Sequence, residues 1–275
     1  MKRLLAIGIL CSGLGSLGLE IVIDAGSDNP TKIAVVPFSS YDTADDISSI
    51  VAFDLVRSGQ FAPLETANML SYPTEPREVV YRDWRVLGMD YVLIGQVIAG
   101  LDGALSVNYH LFDVTAERQI KTNRMTAPRG KLRDMAHKVS DEVFEEITGI
   151  PGAFSTRIAY VLVENVGTDY ANYKLEVSDS DGERVRTLFE SAEPMLSPSW
   201  SPDGSRLAYV SFETGRPSIV IQNVYSGERE RLPSHKGLNG APVFSPDGRR
   251  LALVLSRDGN PEIYTMDIAT KALNR

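Results

Sequence analysis

The sequence predicts a small α/β domain followed by an incomplete, all-β propeller, and three observations carry that prediction. Between Lys32 and Gly149, apolar residues recur at strand spacing and then at helical spacing, with glycines at the breaks. From Arg157 onward helical periodicity disappears, and short strands alternate with glycine turns. This second half also repeats itself. Ser199-Trp200-Ser201-Pro202-Asp203-Gly204-Ser205-Arg206-Leu207-Ala208-Tyr209-Val210 returns 44 residues later as Val243-Phe244-Ser245-Pro246-Asp247-Gly248-Arg249-Arg250-Leu251-Ala252-Leu253-Val254.

In the first domain, Ile33 to Phe38 is an apolar run suited to a buried strand. Thr43, Asp45 and Asp46 form a helix-start signal, with a side-chain cap and acidic groups at the positive end of the dipole. Ile47, Ile50, Val51, Leu55 and Val56 follow at helical spacing, and Gly59 stops that helix. Arg82 to Leu87 reads as a short helix closed by Gly88. Tyr91 to Leu101 and Leu105 to Val114 read as a hairpin around Asp102-Gly103, and Glu117 to Thr126 supplies a third antiparallel strand. Leu132, Met135, Ala136, Val139, Val143 and Ile147 mark one face of a long helix ended by Gly149 and Pro151. This order fits a mixed sheet with helices on one side, over 32–150.

A repeat of about 40–45 residues with four short strands is the mark of a propeller blade. In Ser-Pro-Asp-Gly, proline presets φ, aspartate bonds nearby backbone amides, and glycine takes the positive φ, which suits the turn between a blade's first two strands. A degenerate copy comes first. Ile158-Ala159-Tyr160-Val161 matches the Leu-Ala-Tyr-Val strand, and Leu175 to Leu188 matches Ile219 to Leu232, but no opening strand is recognisable. Residues 157–275 therefore hold roughly three blades, where closure usually takes four to eight. The expectation is a chain whose natural form continues past Arg275.

The amino terminus has export chemistry. Lys2 and Arg3 precede the uncharged run Leu4 to Leu19, and Ser16-Leu17-Gly18 offers a small-x-small cleavage pattern with Gly18 as its last residue. The run is short for a membrane span, so no membrane insertion is expected and 1–18 reads as a signal peptide. Cys11, the only cysteine, lies inside it, preceded by Leu10 where a lipid-attachment motif needs a small residue. The net charge of −8 lacks the basic footprint that phosphate contact requires, which argues against nucleic acid.

No catalytic set emerges. The sequence has no G-x-S-x-G elbow, no H-E-x-x-H and no spaced Cys or His pair for zinc, so no enzyme activity, metal or cofactor is expected. His110, His137 and His235 are far apart, and His110 alternates with apolar neighbours on a strand. Asp179-Ser180-Asp181-Gly182 resembles the start of a calcium loop but lacks its glutamate, and reads as a hairpin turn. Asp141, Glu142, Glu145 and Glu146 read as a solvated helix face. Trp200 and Phe244 share one repeat position, which points to packing rather than ligand stacking.

Six segments stand together along the chain: Ile21-Val22-Ile23-Asp24-Ala25-Gly26, Ile33 to Phe38, Gly95-Gln96-Val97, Ser140-Asp141-Glu142-Val143-Phe144-Glu145, Leu196-Ser197-Pro198-Ser199-Trp200-Ser201-Pro202-Asp203-Gly204 and Asn239-Gly240-Ala241-Pro242. In this order they resemble the TolB family, the periplasmic propeller proteins of the Tol–Pal system. The resemblance implies an anticodon-binding-domain-like first domain, a six-bladed propeller, and a monomeric scaffold supporting envelope integrity and cell division. It also implies two partners. The lipoprotein Pal would bind at the propeller face and TolA through the first mature residues. Carried onto this chain, the TolA segment is Glu20, Ile21, Val22, Ile23, Asp24, Ala25, Gly26, Ser27 and Asp28, within a mobile stretch 19–31. A β-favouring triplet followed by loop-forming residues can add to a partner's sheet edge or form an ordinary edge strand. The Pal candidates are Leu238, Asn239, Gly240, Ala241 and Pro242, expected as a loop before the third blade, with His235 close by. Leu238 stands where the resemblance implies histidine. Two other readings stay open from the residues alone: the gating propeller of a prolyl-oligopeptidase-like hydrolase, and a ligand-binding propeller lectin.

Overall fold

Strand β1 (Thr31–Val35) organises the first domain. The computed structural model describes residues 29–39, 46–100 and 103–275. The signal stretch with Gly18, the segment Glu20 to Asp28, the helix-start residues Thr43 and Asp45, and Asp102 of the hairpin lie outside the described residues. After β1 come α1 (Ile47–Arg57), β2 (Phe61–Pro63), α2 (Tyr81–Val86), β3 (Tyr91–Ala99), β4 (Ala104–Asp113), β5 (Arg118–Pro128) and α3 (Leu132–Thr148). The sheet order is β2-β1-β3-β4-β5, with β1 parallel to both neighbours and β3-β4-β5 an antiparallel meander. The expected mixed sheet is thus present.

Its helices do not all lie on one side, as their spacing suggested. α1 and α3 cover the face that carries Ile33, Val35, Leu93, Val97 and Leu111. On the opposite face Ala34, Val36, Val92, Ile94 and Phe112 pack against Trp84 of α2, which is fully buried. A six-residue helix that buries one tryptophan leaves no periodic stripe to read, so the second layer was invisible in the sequence pattern.

The helix ends follow local chemistry. The Asp46 carboxylate accepts from the Ser48 amide at 3.0 Å and so caps α1. Gly149 takes a left-handed conformation at φ +73° and closes α3 with a bond from its amide to the Glu145 carbonyl. On the polar side of α3 one expectation fails. Asp141 is buried, not solvated, and its carboxylate accepts from the Phe154 amide at 2.6 Å and from the Ser155 amide and hydroxyl. Glu142 accepts from Tyr109 and Asn123 of the sheet, while Glu145 and Glu146 remain exposed. Asp141 therefore ties the last helix to the linker that leads out of the domain.

The second part holds one three-stranded and two four-stranded antiparallel sheets. Blade one is β6 (Arg157–Glu164), β7 (Asn172–Asp179) and β8 (Arg186–Ser191), and among the described residues it has no leading strand before β6. Blade two is β9 (Met195–Trp200), β10 (Arg206–Ser211), β11 (Ser218–Asn223) and β12 (Arg229–Arg231). Blade three is β13 (Asn239–Phe244), β14 (Arg250–Leu255), β15 (Glu262–Asp267) and β16 (Leu273–Asn274). Leu175, Val177, Leu207, Tyr209 and Val220 join blades one and two, while Ile219, Ile221, Leu251, Leu253 and Tyr264 join blades two and three.

The repeat also sets a guanidinium between neighbouring blades. Arg157, at the start of β6, donates to the Gly204 carbonyl at 2.8 Å and stacks 4.8 Å from the Trp200 ring. Arg206, its counterpart at the start of β10, donates to the Gly248 carbonyl at 3.1 Å and lies 5.3 Å from Phe244. Each Ser-Pro-Asp-Gly turn is thus gripped by the preceding blade through one hydrogen bond and one cation–π contact. Trp200 and Phe244 pack, as their shared position predicts.

Two tests follow from these contacts. Gly95 of β3 lies under the Phe38 ring, which occupies the space a β-carbon would need. Overpacking of this kind costs ~1–3 kcal/mol. G95A should lower the urea midpoint accordingly, with partial recovery when F38L is added, and an unchanged midpoint would refute the packing argument. In the turn, bonds from Ser201 and Ser205 hold the Asp203 carboxyl down at about 2. Its folded value lies below the unfolded one of about 3.9, so its stabilisation is present above that value and fades as pH falls through about 2. The acid limb of a stability profile should therefore be shallower in D203N than in the parent chain.

Candidate protein-binding groove

The leading strands β9 and β13 share an irregularity that places a groove between blades two and three. Ser197 and Ala241 are 44 residues apart and each precedes a proline. They adopt φ of +53° and +48°, a region that costs a residue with a β-carbon roughly 1–2 kcal/mol. At both places the ladder slips. Ser197 and Pro198 stand opposite the single residue Tyr209, and Ala241 and Pro242 opposite the single residue Leu253. These are β-bulges, and the prolines, with no amide hydrogen, suit positions that have left the ladder.

The two bulges face a groove of about 250 Å³. Leu196 and Ser197 come from β9, while Leu238, Asn239, Gly240 and Ala241 come from the blade-three side. Val210, Phe212, Pro217 and Val254 complete an almost wholly apolar lining. Leu196 and Leu238 are 50% and 44% exposed, so two large apolar side chains stand half in water. Such a patch, with main chain freed from its ladder, suits contact with another protein surface.

The residues singled out from the sequence are placed unevenly. Asn239 to Pro242 belong to strand β13 itself rather than to a loop before it, and only Leu238 precedes the strand. Leu238, Asn239, Gly240 and Ala241 line the groove, whereas Pro242 and His235 do not. Asn239 is buried, and its amide group clamps the approach to the strand. It accepts from the His235 amide at 2.8 Å and donates to the carbonyls of His235 and Gly237. The Leu238 amide donates to the Ser256 hydroxyl at 2.7 Å, which fixes the leucine at the rim. Leu196 and Ser197, the blade-two half, were missed as site residues. The match of Ser197-Pro198 with Ala241-Pro242 across the repeat was the signal that marks them.

The histidines do not converge. His110 is on β4, where its ring meets the Thr122 hydroxyl at 3.0 Å and burial holds it below its ordinary value. His137 is buried on α3, and His235 precedes β13. Among the described residues no helix is long and apolar enough to cross a membrane.

Comparison with known proteins gives this arrangement relatives. A family profile described as the TolB amino-terminal domain matches residues 19–120, and one described as the TolB beta propeller domain matches residues 144–275. The Tol-Pal system protein TolB of Pseudomonas putida is 46% identical over 250 residues, which span 88% of this chain and 58% of that protein. That of Pseudomonas aeruginosa is 49% identical over 235 residues, spanning 84% of this chain and 54% of that protein. The crystal structure of TolB from Acinetobacter baumannii superposes with a TM-score of 0.81 at 41% identity, covering 91% of this chain and 61% of that one. The chain thus spans a little over half the length of these curated relatives. With both of its parts matched in order, and with the solved relative sharing its two-part fold, this chain belongs to the TolB family of the Tol–Pal system.

Proposed function

We propose that the chain serves as a periplasmic, non-enzymatic adaptor of the Tol–Pal system. In this reading the propeller holds the lipoprotein Pal and the first mature residues hold TolA, in support of outer-membrane integrity and cell division. The observation that carries it is the groove between β9 and β13, where paired bulges and two half-exposed leucines form an apolar recess. The lining carries no ionisable side chain, and so no general base beside its one hydroxyl, on Ser197, which suits holding a surface rather than bond chemistry.

The partners divide between two places. Pal is assigned to Leu238, Gly240 and Ala241, joined by Leu196 and Ser197. Asn239 serves as the buried clamp behind them. TolA is assigned to Glu20 to Asp28, whose Ile21-Val22-Ile23 triplet favours pairing with a sheet edge. Export by the stretch ending at Gly18 brings both parts to the compartment where such partners meet.

Binding measurements separate the two assignments. L238D places a charge on the apolar rim and should weaken Pal binding at least about tenfold, or ~1.4 kcal/mol, with little change in melting temperature. Deleting Glu20 to Asp28 should abolish TolA binding and leave Pal binding intact. Calorimetry in which L238D binds Pal like the parent chain would remove the groove from the assignment. TolA binding that survives the deletion would remove the amino-terminal segment.

A further inference from the structure

The junction between the first domain and blade one buries a set of metal-type donors that the Tol–Pal reading does not use. His137 of α3 is 2% exposed. Its Nδ1 meets an Asp54 carboxylate oxygen at 2.7 Å, and that same oxygen accepts from the Ser140 hydroxyl at 2.7 Å. Its Nε2 has no hydrogen-bond partner. That nitrogen points toward the β7–β8 turn, 3.6 Å from Asp181 Oδ2 and 3.8 Å from Asp179 Oδ2. The Asp181 side chain is 1% exposed, so a turn residue of the propeller is fully enclosed against the helix of the other domain.

We propose that His137, Asp179 and Asp181 form a zinc site that clamps the α/β domain to the first blade, with Asp54 behind the histidine. A carboxylate on one ring nitrogen, with the other left free as a ligand, is the usual support of a zinc-bound histidine. One imidazole nitrogen and two carboxylate oxygens are donors zinc accepts, at bonds of about 2.0–2.2 Å. Around a tetrahedral ion such bonds set neighbouring ligand atoms roughly 3.3–3.6 Å apart, close to the 3.6 Å and 3.8 Å from His137 Nε2 to Asp181 and Asp179. Arg133 now supplies the positive charge. Its guanidinium contacts Asp181 and lies 3.4 Å from Asp179, yet its buried Nε has no hydrogen-bond partner. Two unsatisfied nitrogens therefore face the same pair of carboxylates. Arg57 and Arg184 hold the cluster from outside, through Asp54 and through Asp179 with Asp134. The Arg133 side chain is 18% exposed. A cavity of about 400 Å³ opens beside the cluster and reaches His137 and Asp179, with Lys131, Arg157, Arg184 and Arg186 also on its walls. This site departs from the expectation of no metal, because its donors come from α3 and from the β7–β8 hairpin, far apart in sequence.

Zinc titration of the untagged chain, followed by calorimetry and by the visible spectrum of the cobalt-substituted form, tests the site. The expected result is one ion per chain, with a tetrahedral cobalt spectrum. R133Q removes the competing cation and should bind at least about tenfold more tightly. D54N should bind about 10–100-fold more weakly, and H137Q and D181N should lose the site. Melting curves in chelator establish that each variant is folded. If neither the parent chain nor R133Q binds zinc saturably at one ion per chain, or if folded H137Q binds as the parent does, the proposal is wrong.

Discussion

A β-sheet blade has two apolar faces and cannot cover either of them alone, and this constraint governs the carboxyl-terminal part of the chain. Contact between neighbouring faces buries Leu175, Leu207 and Tyr209 at one junction and Ile221, Leu251 and Tyr264 at the next. Apolar packing is non-directional, so by itself it does not determine how far one sheet rotates over another. Arg157 and Arg206 supply the direction. Each joins a strand start to the turn of the following blade through a carbonyl and an aromatic ring at once. Because the two junctions use the same parts, β9 and β13 come to lie side by side, and their bulges face one recess.

The first domain is bound to this arrangement by polar contacts rather than by a shared apolar core. Asp141 holds the linker backbone at Phe154 and Ser155. Arg57 of α1 donates to the carbonyl and hydroxyl of Ser180 in the β7–β8 turn, and Ser180 in turn donates to the Phe154 carbonyl. Arg133 and His137 meet Asp179 at the end of β7 and Asp181 of the same turn. A junction of charged groups is sensitive to the loss of one partner, since a buried charge left alone is costly.

Much of this was legible in the residues. Periodicity located α1, α3 and the β3-β4-β5 meander, and the 44-residue repeat located the blades and both Ser-Pro-Asp-Gly turns. What escaped notice has a common cause. Spacing reports which face of an element is apolar, not what covers it, so α2 was assigned to the wrong side of the sheet and Asp141 to solvent. The Asn239 to Pro242 stretch looked like a loop because glycine and proline break strands, yet here they mark a bulge inside one. The grouping of Asp54, His137, Asp179 and Asp181 depends on domain docking, which a linear pattern does not encode.

The paired bulges have a consequence for how this surface can vary over evolution. Where backbone angles, rather than side chains, set the floor of a recess, its contour survives exchange of the residues that form it. Serine stands at one bulge and alanine at the other, and both trace the same path. Exchange of those two side chains would alter the chemistry offered at the lip while leaving the backbone path beneath it unchanged.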